Sequence, residues 1–280
     1  MHLIQYVLGT DYLLRPLLML LVLSAAAGVA GALVNLKRAE FRAEAMVHSV
    51  FPGIVGGFVW GGTESILVGA SLAAVVTAAI LTFRRSHSAH SAGEEAGTAV
   101  VLSSFYSLGI VAALYFSDKS GQLEALMFGR LLEMTEARFL QSVVLCLAAL
   151  ALLLLSWRSQ VFLAFDPQAA AGAGIVGWRC ELILNLAIAA VVVAGSSVVG
   201  VLLVVGFLVV PGAAARLVAP TSAAMVAWSV AVAALGSVVG MWWMLQSSSR
   251  PVSPQAAVSL ALVGVFFLVL FARTVSRSVR

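Results

Sequence analysis

Residues 182–215 read LILNLAIAAVVVAGSSVVGVLLVVGFLVVPGAAA, thirty-four positions without a single Asp, Glu, Lys or Arg. As one helix this stretch would extend about 51 Å at ~1.5 Å per residue, well beyond the ~30 Å of hydrocarbon in a bilayer. Gly195, Ser196, Ser197 and Gly200 lie near its middle. The spacing predicts two membrane-crossing helices with a break near residues 195–200. Further charge-free stretches cover residues 16–36, 45–63, 65–83, 96–117, 139–157, 217–249 and 251–272. Each suits one crossing, which gives nine in all, with eight as the alternative.

The composition agrees. Of 280 residues, 62% are hydrophobic and 10% charged, whereas a soluble domain carries about a quarter charged residues. That shortfall excludes a water-soluble globule, a disordered chain and a coiled coil. The chain is expected to be an all-α polytopic membrane protein, a single transmembrane domain over residues 1–280. The start carries no basic segment leading to a small-residue cleavage site, so the stretch from Leu17 is expected to be retained rather than removed. Cys146 and Cys180 have no metal-ligand or redox spacing and read as small buried hydrophobes. Gly53, Gly57 and Gly61 repeat every four residues, as do Gly236 and Gly240, a pattern that lets helices approach closely in lipid.

The formal charge of +4 sets orientation rather than marking a nucleic-acid partner, because no basic stretch is interleaved with stacking aromatics. Lys37, Arg38, Arg42, Arg84, Arg85, Arg158, Arg179, Arg216, Arg273, Arg277 and Arg280 all fall on one side if the N-terminus is outside. Arg15, Lys119, Arg130, Arg138 and Arg250 dissent. The other acids sit at span ends, where a charge costs little.

One stretch breaks the apolar rule. Residues 40–53 read EFRAEAMVHSVFPG. On a helix Glu40, Glu44 and His48 share one face at four-residue spacing, and Pro52-Gly53 interrupts that helix and frees carbonyls. A carboxylate and an imidazole one turn apart form half of a divalent-metal site; the alternative is local pairing with each other or with Arg42. An ionisable group inside a span defaults to a functional reading. His87 and His90 lie in a polar loop and read as solvated.

Residues 158–180 are the second polar piece. Asp166-Pro167 reads as a helix start, the Asp capping and the Pro in the first turn. Gly172 and Gly174 read as its stop. A short cytoplasmic helix lying flat between two spans, carrying Phe165, Asp166, Pro167 and Gln168 at its start, suits docking to a cytoplasmic partner. The chain has no phosphate-binding loop, nucleophile elbow or His-Glu-x-x-His helix. It is therefore not expected to be an enzyme, and any energy must come from another subunit or an ion gradient.

These segments resemble the permease subunits of bacterial ABC importers for manganese, zinc and iron. That family carries a stretch like Gly-Asp-Ala-Leu-Ser-His-Ala-Val-Leu-Pro-Gly, against which residues 43–53 align. Residues 95–104, 126–129, 165–167, 199–205 and 211–217 match further family segments in order. The resemblance implies a homodimeric permease of the bacterial inner membrane, working with a cytoplasmic ATPase dimer and an extracytoplasmic metal-binding protein. It implies no permanently bound cofactor: the metal is the cargo and ATP belongs to the partner. The family's metal-passage Asp and His map onto Glu44 and His48; the change of Asp to Glu lengthens the carboxylate arm by one methylene. Glu95 maps onto an acid before the fourth span, and Glu40 joins it as a pathway candidate. The rival readings are a permease of the related vitamin and iron-chelate class and a secondary transporter with Glu44 as proton relay.

Overall fold

The computed structural model describes residues 11–87, 91–116, 129, 131–246 and 253–278. Among these the chain is helical with no strand. The helices are α1 (Asp11–Leu36), α2 (Glu40–Ser49), α3 (Phe51–Gly61), α4 (Ile66–His87), α5 (Ser91–Phe116) and α6 (Glu136–Phe165). They continue with α7 (Pro167–Gly172), α8 (Gly177–Val198), α9 (Val201–Val218), α10 (Ser222–Gln246) and α11 (Pro254–Ser278). Seven of these are long and apolar enough to cross a membrane singly: α1, α4, α5, α6, α8, α10 and α11. The remaining charge-free stretches fall on the broken pair α2–α3 and on the shorter α9.

The long run divides at residues 199–200. Gly200 takes φ +86°, a left-handed conformation that side chains other than glycine's rarely adopt. Gly195, Ser196 and Ser197, expected to take part in the break, stay inside α8. The serine hydroxyls explain why. Ser196 donates to the Val193 carbonyl at 2.9 Å and Ser197 to that of Ala194 at 2.8 Å, so neither side chain remains unsatisfied when the backbone stays helical. Gly129 lies directly against the gap, where a Cβ would meet the Gly200 nitrogen, and its carbonyl accepts from Gln255 at 3.0 Å.

α1 and α8 form the centre, each with 72% of its most apolar window buried; the corresponding share in α5 is 17% and in α6 22%. The outer helices present Leu114, Leu147, Leu155 and Phe271 outward, a surface suited to lipid tails. Between helices the contacts are small and close. Gly31 of α1 abuts the Leu208 carbonyl of α9, and Gly53 of α3 abuts the Gly69 carbonyl of α4. Gly57 likewise packs on Ser65, and Gly236 and Gly240 pack on Leu262 and Val258 of α11. Buried polar groups knit the same interfaces: the Ser24 and Ser237 hydroxyls lie 3.0 Å apart. Asn35 donates to the Gly31 and Val209 carbonyls at 3.0 and 3.2 Å. Both cysteines are buried and free.

Candidate metal-path site

α2 has two faces. Arg42, Ala43, Met46 and Val47 are buried, while Glu40, Glu44 and His48 are half-buried on the other side. The His48 ring stands edge-on to Tyr106 of α5, with centroids 5.3 Å apart and planes at 77°, and Phe51 flanks the same tyrosine at 6.1 Å. These aromatic contacts restrict the imidazole on one side while Glu44 sits one turn before it.

The helix breaks just past His48, at Val50, two residues earlier than the proline that causes it. Pro52 has no N–H to donate to the His48 carbonyl four residues back, and that carbonyl accepts instead from the Val50 N–H. Proline is well accommodated in the first turn of a new helix, where the N–H groups are unpaired anyway; α3 accordingly starts at Phe51. Gly53, expected to share in the break, lies inside α3, packed on α4.

Glu44 and His48 thus offer a hard oxygen and a borderline nitrogen beside a discontinuous helix, a donor pair compatible with manganese, iron or zinc. They do not form a closed cage alone. Among the described residues no group of three or more His, Cys, Asp or Glu stands close enough to hold a metal ion. Glu95 is exposed in the first turns of α5. His90 lies outside the described residues, as does most of the matched segment 126–129.

Behind α2 is a cluster that the sequence does not announce. Glu181, expected to be a cheap acid at a span end, is buried, its side chain 7% exposed. It accepts from Arg42 Nη1 at 2.7 Å, Lys37 Nζ at 3.0 Å and Arg85 Nη1 at 3.1 Å. Lys37 also donates to Gln160 Oε1 at 2.6 Å, and Gln160 Nε2 donates to the Cys180 carbonyl at 2.7 Å. Burial lowers the pKa of Lys37 below its ordinary value; Glu181 opposes that shift, while Arg85 and Arg42 add to it. One carboxylate thereby joins the ends of α1, α2 and α4 to the start of α8. Asn185, one turn on from Glu181 and on the same face of α8, extends the cluster by donating to Thr82 of α4 at 2.9 Å.

Residues 165–177 fold as their local chemistry dictates. Asp166 Oδ1 accepts from the Ala169 N–H at 2.8 Å, capping α7, with Pro167 in the first turn. α7 ends at Gly172, and Gly174 at φ +80° turns the chain toward α8. Ala170 is buried, whereas Phe165, Asp166, Pro167 and Gln168 are exposed together with Gly172 and Gly174. Asp166→Ala should remove about 1 kcal/mol of helix stability, raising amide exchange across residues 167–172 by roughly fivefold. Hydrogen exchange with mass spectrometry reads this directly, with α8 as the unchanged control.

The profile of the ABC 3 transport family matches residues 9–273. The Manganese transport system membrane protein MntC of Halalkalibacterium halodurans is 25% identical over 264 residues, covering 94% of this chain and 88% of the relative. The Chelated iron transport system membrane protein YfeC of Yersinia pestis is 24% identical over 232 residues, covering 83% and 77%. Among solved structures, PsaBC from Streptococcus pneumoniae in complex with Fab superimposes with a TM-score of 0.81 at 23% identity, covering 95% of this chain and 93% of that one.

Proposed function

The chain belongs to the ABC 3 transport family, and from that premise we propose that it is the membrane subunit of an ATP-driven importer of divalent metal ions. The observation that carries this reading is the pair Glu44 and His48, aligned on one face of a helix that breaks immediately after them. Two such pairs across the axis of a homodimer would supply two carboxylates and two imidazoles. That set suits manganese as well as zinc, and iron less distinctively. Names of relatives point to manganese and to chelated iron. With little in the pair to separate the metals, selectivity falls mainly to an extracytoplasmic binding protein. The fold is read as nine crossings in the bacterial cytoplasmic membrane: the seven long helices, the α2–α3 pair and α9. This places Lys37, Arg85 and α7 on the cytoplasmic side.

ATP hydrolysis belongs to a separate ATPase dimer, since the chain carries no phosphate-binding loop. α7, with Phe165 to Gln168, Gly172 and Gly174 exposed, is the segment that receives it. Gln168→Cys should crosslink to the ATPase subunit in inverted vesicles; labelling of that cysteine from outside intact cells would reverse the topology. The deciding measurement is manganese uptake into proteoliposomes holding the permease, the ATPase and the binding protein. Uptake should require ATP. Uptake by the chain alone, driven by a proton gradient, would replace this reading with that of a secondary transporter using Glu44 as the relay.

A further inference from the structure

We propose that Glu181 and Arg42 are positioning residues that transmit movement of α7 to the helix bearing Glu44 and His48; this rests on the importer reading above. The connection is short, and the ion pair at its end is buried. α7 leads through Gly174 into the first turn of α8, and Glu181 lies four residues after the α8 start at Gly177. Its carboxylate meets Arg42 at 2.7 Å, with both side chains 7% exposed. Arg42 is on α2, two residues before Glu44, hence about 200° around the helix from it. The ion pair thus holds the back of α2 while the front carries the metal-path groups. A displacement of the α8 start pulls on α2 through this charge-assisted bond in a region shielded from water, where such bonds are strong.

Lys37 and Arg85 have a different part. They bind the same carboxylate at 3.0 and 3.1 Å, but they sit beyond the end of α1 and near the end of α4, not on the helix with the candidate ligands. Together with Pro167, Gly177, Trp178 and Glu181 they line a cavity of about 350 Å³ beside α7. That space gives the α8 start room to shift while Lys37 and Arg85 keep the carboxylate neutralised. Of the three cations, only Arg42 lies on the line from α7 to Glu44 and His48.

The test compares Arg42→Gln with Arg85→Gln in the full complex of permease, ATPase and binding protein, reading ATP hydrolysis and manganese uptake together. Each variant leaves Glu181 with two cations, and a purely charge-balancing role lowers the amount of folded complex, more for buried Arg42 than for Arg85, without changing the ions moved per ATP. Arg42→Gln should lower manganese ions moved per ATP at least tenfold with hydrolysis retained, and Arg85→Gln less than twofold. An unchanged ratio in Arg42→Gln, or equal losses in both, overturns the transmission role. If Arg42→Gln does not accumulate in the membrane, Arg42→Lys serves: a severalfold fall in the ratio supports the proposal and a wild-type ratio overturns it. A wild-type complex that moves no manganese with ATP removes the importer reading, and this proposal with it; a competent wild type with a fully coupled Arg42→Gln removes the proposal alone.

Discussion

His48→Ala is expected to abolish metal uptake in the reconstituted complex, with Glu44→Ala doing the same. Even indirect partners of metal ligands cost 10–100-fold when removed, so loss of a donor itself should exceed about 100-fold. Both side chains are half-buried, and truncating them opens no sealed core. The permease should therefore still accumulate, form dimers and bind the ATPase, as size-exclusion chromatography of the extracted complex would show. Glu44→Asp restores the family's acid with its shorter arm and should recover much of the rate. Wild-type uptake by both alanine variants would remove these residues from the path. Loss of folded protein instead would assign them to packing against Tyr106 and its neighbours.

Gly31→Val is expected to prevent the bundle from forming. The added Cβ would meet the carbonyl oxygen of Leu208, a backbone atom that cannot rotate aside. On the facing helix, Gly212 packs against the Gly31 carbonyl and Asn35. Replacing glycine inside a helix gains up to about 1 kcal/mol in propensity, but overpacking costs about 1–3 kcal/mol or more, and here it separates α1 from α9. The expected result is aggregation on detergent extraction. Gly264→Val is the matched control, because open space surrounds that position; it should extract as a single species. Equal behaviour of the two variants would refute the close approach of α1 and α9.

What the sequence disclosed and what it withheld divide along one line. Local patterns were legible. The absence of charge over residues 182–215 announced membrane helices, and the Asp166-Pro167 start with glycines beyond it announced α7. Spacing alone put Glu44 and His48 on one face. Features set by partners distant along the chain were not legible. Ser196 and Ser197 read as helix breakers but stay helical through bonds to their own preceding turn. Glu181 read as a low-cost acid at a span end because its three cations come from residues 37, 42 and 85, each on a different segment. The break after His48 shifted to Val50 because proline acts on the carbonyl four residues before it, not on its own position.

The burial of α1 has a consequence for how the protein is made. α1 leaves the ribosome well before its partners α9 and α10, which begin at residues 201 and 222, and Ser24 meets Ser237 across 213 positions. At about 5–20 residues per second, α1 waits roughly 10–40 s in the bilayer with its glycine face and Ser24 uncovered. During that interval it depends on the insertion machinery for shielding, because its own contacts are among the least local of those described and close late. Chains released before residue 222 would leave the centre of the bundle open to lipid, which makes them natural targets for membrane proteases, while loss of α11 alone would spare α1 its partners.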